Sequence, residues 1–429
     1  MSMTGFLITF FIILMFLNMP LAFAMGAGSL VALLIGGIDP VILPQRMMFA
    51  VNSFPLMAIP LFMIAGEIMV KAGMVSRMVD FANTLVGRYR GGLATATVLT
   101  ATMMSTVTGA AVASASALAS TVAPEVRKHY GAGFTSGLIA ASANLGAIIP
   151  PSNAMIVYAL MAGGLVSVGA LFVSAIIPGL LIAVLTAVLA YIIIRIRKLP
   201  ATGEPFSLRK TLLAFRSAIV IVAMPVIVIG GIVGGVFTPT EGAAIAVMYA
   251  SIIGFFFTRE LKLKHIPDIM FRAAINSAIV GAMIAFASTI TFIFTIDLIP
   301  LQLATFIQGV TDNPHVFLAL IMIALLIIGM ALESNAAYIM LVPLFAPVAM
   351  LYGLDPLWFA FLFCLNKIIG MLTPPVGVLL FVTSGVMQLP FGKVLKESLP
   401  FTAVQGFVLL LCIFFPDIVL WLPRTLGMH

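Results

Sequence analysis

The chain of 429 residues is 62% hydrophobic and 8% charged, with a formal net charge of +7 and a mean hydropathy of +1.24. That leaves far too little polar surface to coat a water-soluble globule, so the composition describes a polytopic membrane protein. The positive charge does not indicate a nucleic-acid partner, because the basic residues are strung between apolar segments without an aromatic-interleaved groove or recognition motif.

The run from Phe6 to Leu17 lacks the positive flank and cleavage site of a signal peptide and reads as a retained first helix. Crossing a hydrocarbon core of roughly 30 Å at about 1.5 Å per residue takes about 20 apolar residues. Spans are predicted near 3–18, 21–38, 55–70, 134–163, 169–194, 217–236, 241–257, 270–297, 356–388 and 399–422. Residues 93–125 and 315–350 are too long to cross once and too short to cross twice. Both are predicted to be re-entrant hairpins, with tips at Ser105-Thr106-Val107-Thr108-Gly109 and Met330-Ala331-Leu332-Glu333-Ser334-Asn335. Residues 72–88 and 299–310, which lead into them, read as interfacial arm helices. Cys364 and Cys412 sit inside apolar spans and read as small buried side chains.

Two spans, 134–163 and 356–388, are each broken by a Pro-Pro pair: Pro150-Pro151 and Pro374-Pro375, 374 − 150 = 224 residues apart. Val51-Asn52-Ser53 with Ala58 and Phe62 recurs as Ile275-Asn276-Ser277 with Ala282 and Phe286, again 276 − 52 = 224 apart. The hairpin exits Ala123-Pro124 and Ala346-Pro347 are 347 − 124 = 223 apart. One register held this far implies internal duplication. The expected organisation is N-terminal spans at 1–50, a first repeat at 51–194, a cytoplasmic linker at 195–216, a second repeat at 217–396 and a C-terminal span at 397–429.

Charge orients the copies, because Lys and Arg accumulate in cytoplasmic loops. Arg88, Arg90, Arg127 and Lys128 flank the first hairpin, whereas Asp312, His315 and Asp355 flank the second. The hairpins therefore enter from opposite sides, as in inverted-repeat transporters. With the N-terminus outside, 18 of the 21 basic residues fall inside, leaving Arg46 and Arg424 outside and Lys367 within a span. The fold class expected is an all-α polytopic membrane protein with inverted-topology repeats, each with a re-entrant hairpin and a Pro-Pro-broken helix.

Proline lacks the backbone N–H, so a Pro-Pro pair at membrane depth frees carbonyls that something polar must satisfy. Half-helix ends offer carbonyls to Na⁺ and N–H groups to an anion. The candidate cation ligands at the breaks are Asn144, Gly146, Pro150, Gly370, Thr373 and Pro374. Those at the tips are Ser105, Thr106, Thr108, Gly109, Ser334 and Asn335, an oxygen set suited to an alkali cation. Pro151, Ser152, Asn153, Pro375 and Gly377 are the candidates for binding an anionic substrate. The same prolines could serve as simple kinks, and the small residues could serve only close helix packing. Glu333 and Lys367 are the ionisable residues predicted at membrane depth, suited either to a structural ion pair or to coupling or gating. Thr238-Pro239-Thr240-Glu241 reads as a helix capping box. No nucleotide-binding, zinc or nucleophile motif occurs, and His129, His265, His315 and His429 form no cluster. The sequence reads as a carrier driven by an ion gradient, not an enzyme.

At these residues the chain resembles the large membrane subunit of the tripartite ATP-independent periplasmic (TRAP) transporters, the DctM-like permeases. The segments that carry the likeness are Asn52-Ser53-Phe54-Pro55-Leu56-Met57-Ala58-Ile59-Pro60-Leu61-Phe62, Ile148-Ile149-Pro150-Pro151-Ser152, Phe237-Thr238-Pro239-Thr240-Glu241 and Leu372-Thr373-Pro374-Pro375-Val376-Gly377. The resemblance implies Na⁺-coupled uptake of an organic acid across a bacterial inner membrane, by an elevator movement of the hairpins and broken helices. It also implies a small four-helix membrane subunit and a soluble periplasmic substrate-binding protein as partners. Substrates of the family include C4-dicarboxylates and sialic acid, which share a carboxylate. Asn153-Ala154 and Lys367 depart from the family's pattern, so substrate specificity does not transfer. Rival readings are a stand-alone Na⁺/anion symporter of related hairpin fold and an ion channel that uses the hairpins as a filter.

Overall fold

A computed structural model describes residues 2–17, 19–86, 90–200, 208–331, 334–374 and 376–428, all helices and connections. The chain opens with α1 (Met3–Phe16), α2 (Leu21–Ile35), α3 (Ile42–Val51), α4 (Ala58–Lys71) and α5 (Met74–Val86). The first hairpin is α6 (Gly92–Thr108) and α7 (Ala111–Thr121), followed by α8 (Ala123–Tyr130). Next come the broken pair α9 (Ala132–Ile148) and α10 (Asn153–Met161), then α11 (Val168–Ile196), α12 (Leu208–Val233) and α13 (Pro239–Ile252). The second half contains α14 (Ile266–Ile296), α15 (Ile299–Gln308), and the hairpin α16 (Pro314–Ala331) and α17 (Ser334–Leu351). It ends with the broken pair α18 (Pro356–Gly370) and α19 (Val378–Met387), then α20 (Phe391–Phe414) and α21 (Asp417–Thr425).

Corresponding elements recur at a near-constant offset: α9 and α18 start 356 − 132 = 224 residues apart, and α7 and α17 start 334 − 111 = 223 apart. Several predicted boundaries move. Gly37, with φ +65, follows the end of α2 at Ile35, so that helix is shorter than the span predicted to 38. Residues 42–51 form a short helix that was not anticipated, with Met48 and Phe49 exposed and Arg46 stacked 4.4 Å over the Phe292 ring. The linker is shorter than expected, because α12 already begins at Leu208. The predicted span 399–422 is two helices: α20 stops at Phe414, with Phe415 turned out of helical geometry before Pro416, and α21 follows. Among the described residues, six helices are long and apolar enough to cross a membrane, and up to eight if each bent pair counts as one.

Polar contacts sort the ends of these helices onto two sides. Arg197 pairs with Glu397 at 2.9 Å, Arg77 with Glu260 at 3.2 Å and Lys71 with Asp268 at 3.2 Å, and Arg90 Nε donates to the Leu199 carbonyl at 3.2 Å. All of these join segments predicted on one side. On the other, Arg424 lies 3.7 Å from Asp355, the Tyr352 hydroxyl donates to the Thr311 carbonyl at 2.9 Å, and the Thr4 N–H donates to Asp297 at 2.7 Å. Along α20, Glu397 lies in the first half and Cys412 near the end, where its carbonyl accepts the Trp358 indole N–H at 2.8 Å close to Asp355. The two hairpins therefore have their bases at opposite ends of α20, which is the inverted arrangement.

The innermost elements are the first halves of the broken helices. Every residue from Gly133 to Ile148 in α9 and from Leu357 to Gly370 in α18 is buried. α9 packs against α6, α7 and α20, and α18 against α16, α17 and α20. The second halves cross over: α10 packs on α17 and α19 on α7, so each reaches the hairpin of the other repeat. α1 to α4 pack chiefly with α13 and α14.

At the centre, Asn144 Nδ2 donates to the Ile368 carbonyl at 3.1 Å and to Gln405 Oε1 at 2.7 Å, and Gln405 Nε2 donates to the Ala141 carbonyl at 3.1 Å. Ile368 lies 368 − 144 = 224 residues from Asn144, so the two copies meet at equivalent positions. A buried carboxamide left without its partner costs about 1–3 kcal/mol. Asn144→Leu and Gln405→Leu are each expected to destabilise the protein by about that much. The double variant should fall short of the sum by ~0.5–3 kcal/mol, read by chemical unfolding in mixed micelles. Strictly additive losses would show that the two amides act independently.

Candidate functional site

The first break is short. Ile149 is extended (φ −81, ψ 129), as a residue preceding proline must be, and α10 restarts at Asn153 after the extended Ser152, bent 44° from α9. The freed backbone groups find local partners. Ser152 Oγ donates to the Ala147 carbonyl at 2.6 Å, and the Asn153 N–H donates to the Gly109 carbonyl at 3.2 Å. That second bond fastens the break to the tip of the first hairpin. Gly109 sits at φ +58, and a Cβ there would lie 2.8 Å from the Pro151 carbonyl oxygen, so both its conformation and its position require glycine. A Cβ on Gly146 would likewise lie 3.0 Å from the Ala110 carbonyl.

Thr108, Gly109, Gly146, Pro151 and Asn153 are thus brought together around one tip and one break. The Thr108 and Ser114 hydroxyls lie 2.7 Å apart and brace the turn. Ser105 Oγ donates to the Ala101 carbonyl and Thr106 Oγ1 to the Met103 carbonyl, each at 2.6 Å, which leaves their oxygen lone pairs open. Asn144 stands slightly apart, with Nδ2 engaged in the central network and Oδ1 without a hydrogen-bond partner.

The second break lies between Gly370 and Val378, and its described residues keep some turn structure. Thr373 Oγ1 donates to the Ile369 carbonyl at 2.9 Å, the Leu379 N–H donates back to the Met371 carbonyl at 3.1 Å, and Gly377 enters α19 at φ +56. Pro374 is part of this turn. Pro375 and Glu333 lie outside the described residues, so no contact is assigned to either. Ser334 and Asn335 open α17 beside the tip. Lys367 is buried, and its Nζ donates to the Gly329 carbonyl at 2.9 Å.

Among the described residues, the buried oxygens without hydrogen-bond partners on these elements are Oδ1 of Asn144, Asn153 and Asn366, Oγ of Ser142 and Ser334, and Oγ1 of Thr100; Thr4, Thr186 and Thr289 carry others elsewhere. Such groups are costly unless a ligand or water completes them. Among the described residues no three His, Cys, Asp or Glu side chains gather as a metal cluster. Neutral oxygens of this kind fit a hard monovalent cation better than a transition metal. Ser114, Ser142, Asn366 and Gln405 were not singled out in the sequence. Their common signal is a polar side chain inside a stretch otherwise made of apolar and small residues.

Residues 8–418 match the family model of the DctM component of the tripartite ATP-independent periplasmic transporters. The C4-dicarboxylate TRAP transporter large permease protein DctM of Pseudomonas aeruginosa is 36% identical over 378 residues, 88% of either chain. The sialic acid TRAP transporter large permease protein SiaM of Vibrio cholerae is 34% identical over 413 residues, 96% of either chain. The isethionate TRAP transporter permease protein DctMQ of Oleidesulfovibrio alaskensis is 35% identical over 413 residues, 95% of this chain and 64% of that one. The crystal structure of the Alcanivorax borkumensis YdaH transporter shares the fold at a TM-score of 0.63 and 14% identity, covering 86% of each chain. The chain therefore belongs to the DctM family, as a large permease of TRAP transporters and a multi-pass membrane protein rather than an enzyme.

Proposed function

We propose that this permease imports an organic anion across a bacterial inner membrane by Na⁺-coupled secondary transport. The observation that carries the reading is the junction of the first hairpin and first broken helix, where the Gly109 carbonyl takes the Asn153 N–H while Asn153 Oδ1 stays buried and unpartnered. Oxygens of Ser105, Thr106, Thr108, Gly109, Asn153 and the freed α9 carbonyls would hold one cation. Those of Ser334, Asn335, Gly370, Thr373 and the turn at Pro374 would serve the equivalent place in the second repeat. Bound Na⁺ supplies positive charge at membrane depth, which completes the unpartnered oxygens and favours an anion nearby. Backbone N–H groups at the starts of α10 and α19, with Ser152, Asn153 and Gly377, would receive that anion.

The relatives are named for C4-dicarboxylates, sialic acid and isethionate. Isethionate carries a sulfonate, so the shared feature is an organic anion and a carboxylate is the commoner form of it. The partners proposed are a small four-helix membrane subunit and a periplasmic substrate-binding protein, with the N-terminus of this chain periplasmic. Segregation of the inter-loop contacts onto two sides supports that topology. The moving body would comprise hairpins and broken helices, carried as an elevator against α1 to α4, α13 and α14. Their separate packing preferences support it.

Uptake by proteoliposomes containing this chain, its small subunit and the binding protein should vanish when Na⁺ is replaced by K⁺. Vesicles holding this chain alone should not accumulate substrate, and full uptake by them would favour the stand-alone symporter. Currents far above carrier turnover would favour a channel.

Asn153→Leu and Thr373→Val each remove one side-chain oxygen from a proposed cation site. A lost ligand worth about 1.4 kcal/mol should raise the Na⁺ concentration for half-maximal uptake about tenfold. An unchanged Na⁺ titration would remove that residue from its site.

A further inference from the structure

Lys367 is 1% exposed, and its Nζ reaches the Gly329 carbonyl at 2.9 Å. Gly329 stands in the last turn of α16, at the tip end of the second hairpin. The last carbonyls of a helix have no intrahelical donor and form the negative end of its dipole. The ammonium is therefore a cation at the place where a re-entrant helix presents oxygens to a bound ion. Close backbone approach makes the reach possible: a Cβ on Gly370 would lie 2.9 Å from the Gly329 carbonyl carbon and oxygen.

The first repeat has the same layout without the charge. At the offset of 224 between the broken helices, Lys367 corresponds to Ala143. At the offset of 223 between the hairpin exits, Gly329 corresponds to Thr106 in the last turn of α6. No Lys or Arg occurs from residue 91 to 126 or from 129 to 194, so neither the first hairpin nor the first broken helix can supply its own cation. A lysine at membrane depth is expensive to keep and tends to be functional.

We infer that Lys367 is a resident cation, standing at the carbonyl end of the second hairpin in place of a mobile ion, so that the second repeat takes one fewer Na⁺ than duplication of the site would provide. The inference rests on the Na⁺-coupled reading and deepens it. The second hairpin is then latched to α18 by the chain's own ammonium, and ion dependence falls chiefly on the first.

Lys367→Met keeps the length of the side chain and removes its charge, whereas Lys367→Arg keeps the charge. In proteoliposomes with the cognate small subunit and binding protein, the flux ratio of radiolabelled Na⁺ to substrate should rise by one in Lys367→Met. Its Na⁺ titration should also become steeper and move to higher concentration, while Lys367→Arg should keep the wild-type ratio. An Na⁺ requirement identical in Lys367→Met and wild type overturns the inference, including the case where neither needs Na⁺. Na⁺-independent uptake by the wild type alone would refute the coupling reading, and acquisition of an Na⁺ requirement by Lys367→Met would still support the resident cation. Where Lys367→Met does not assemble, a high-resolution map of the wild-type complex in Na⁺ decides. Nζ alone at the Gly329 carbonyl is the expected result, and a separate cation peak against that carbonyl overturns the proposal.

Discussion

The structure depends on one constraint: in a low-dielectric interior every backbone N–H and C=O needs a partner, and an unbroken helix is the simplest way to provide it. This protein interrupts two of its most buried helices. It then repairs part of the damage locally, with Ser152 on the Ala147 carbonyl, Asn153 on Gly109, Thr373 on Ile369 and Leu379 on Met371. Among the described residues, unpartnered buried oxygens remain on the broken helices and hairpins, at Ser142, Asn144, Asn153, Asn366, Thr100 and Ser334, and also at Thr4, Thr186 and Thr289 on other helices; every unpartnered carboxamide oxygen is on a broken helix. Breaking a helix in the middle of a membrane is thus turned from a defect into a supply of fixed dipoles.

Fixed dipoles of this kind make binding and conformation inseparable. The Gly109–Asn153 bond ties the tip of a hairpin to the start of α10, and α10 in turn rests on the hairpin of the other repeat. A ligand that completes the orphan oxygens stabilises whichever arrangement keeps tip and break together, and any second ligand that needs the same arrangement then binds more tightly by the same factor. In the proposed mechanism, coupling between two solutes would need no long pathway, since both would address one junction.

Much of this architecture was legible because its signals are local. Pro150-Pro151 and Pro374-Pro375 announce themselves, and the small-residue centres at Thr108-Gly109 and before Ser334-Asn335 mark the hairpins. The Thr238–Glu241 capping box is present as read, with the Thr238 N–H on Glu241 at 2.8 Å and the Glu241 N–H on Thr238 at 3.3 Å. What escaped was either short or long-range. α3 is too brief and too weakly periodic to distinguish from a loop, and the end of α20 depends on a single proline inside an apolar run. The Asn144–Gln405 contact spans 261 residues, so nothing near either residue points to the other. Lys71 likewise pairs with Asp268 across the packing of α4 on α14, a contact that nothing near either residue signals.

The two breaks also show how a duplicated frame can be put to different uses. The first confines its disruption to four residues, 149–152, and closes directly on its hairpin through main-chain atoms, so side-chain substitutions there act on an already rigid mount. The second is longer, lying between Gly370 and Val378, and joins its hairpin through a side chain, Lys367, together with the Gly329–Gly370 backbone contact. The main-chain clasp holds Gly109 to glycine, whereas a side-chain clasp can be retuned by a single substitution. Divergence after duplication therefore has more freedom in the second repeat, and a buried lysine stands in its broken helix, whereas residues 130 to 194 of the first repeat contain no Lys, Arg or His.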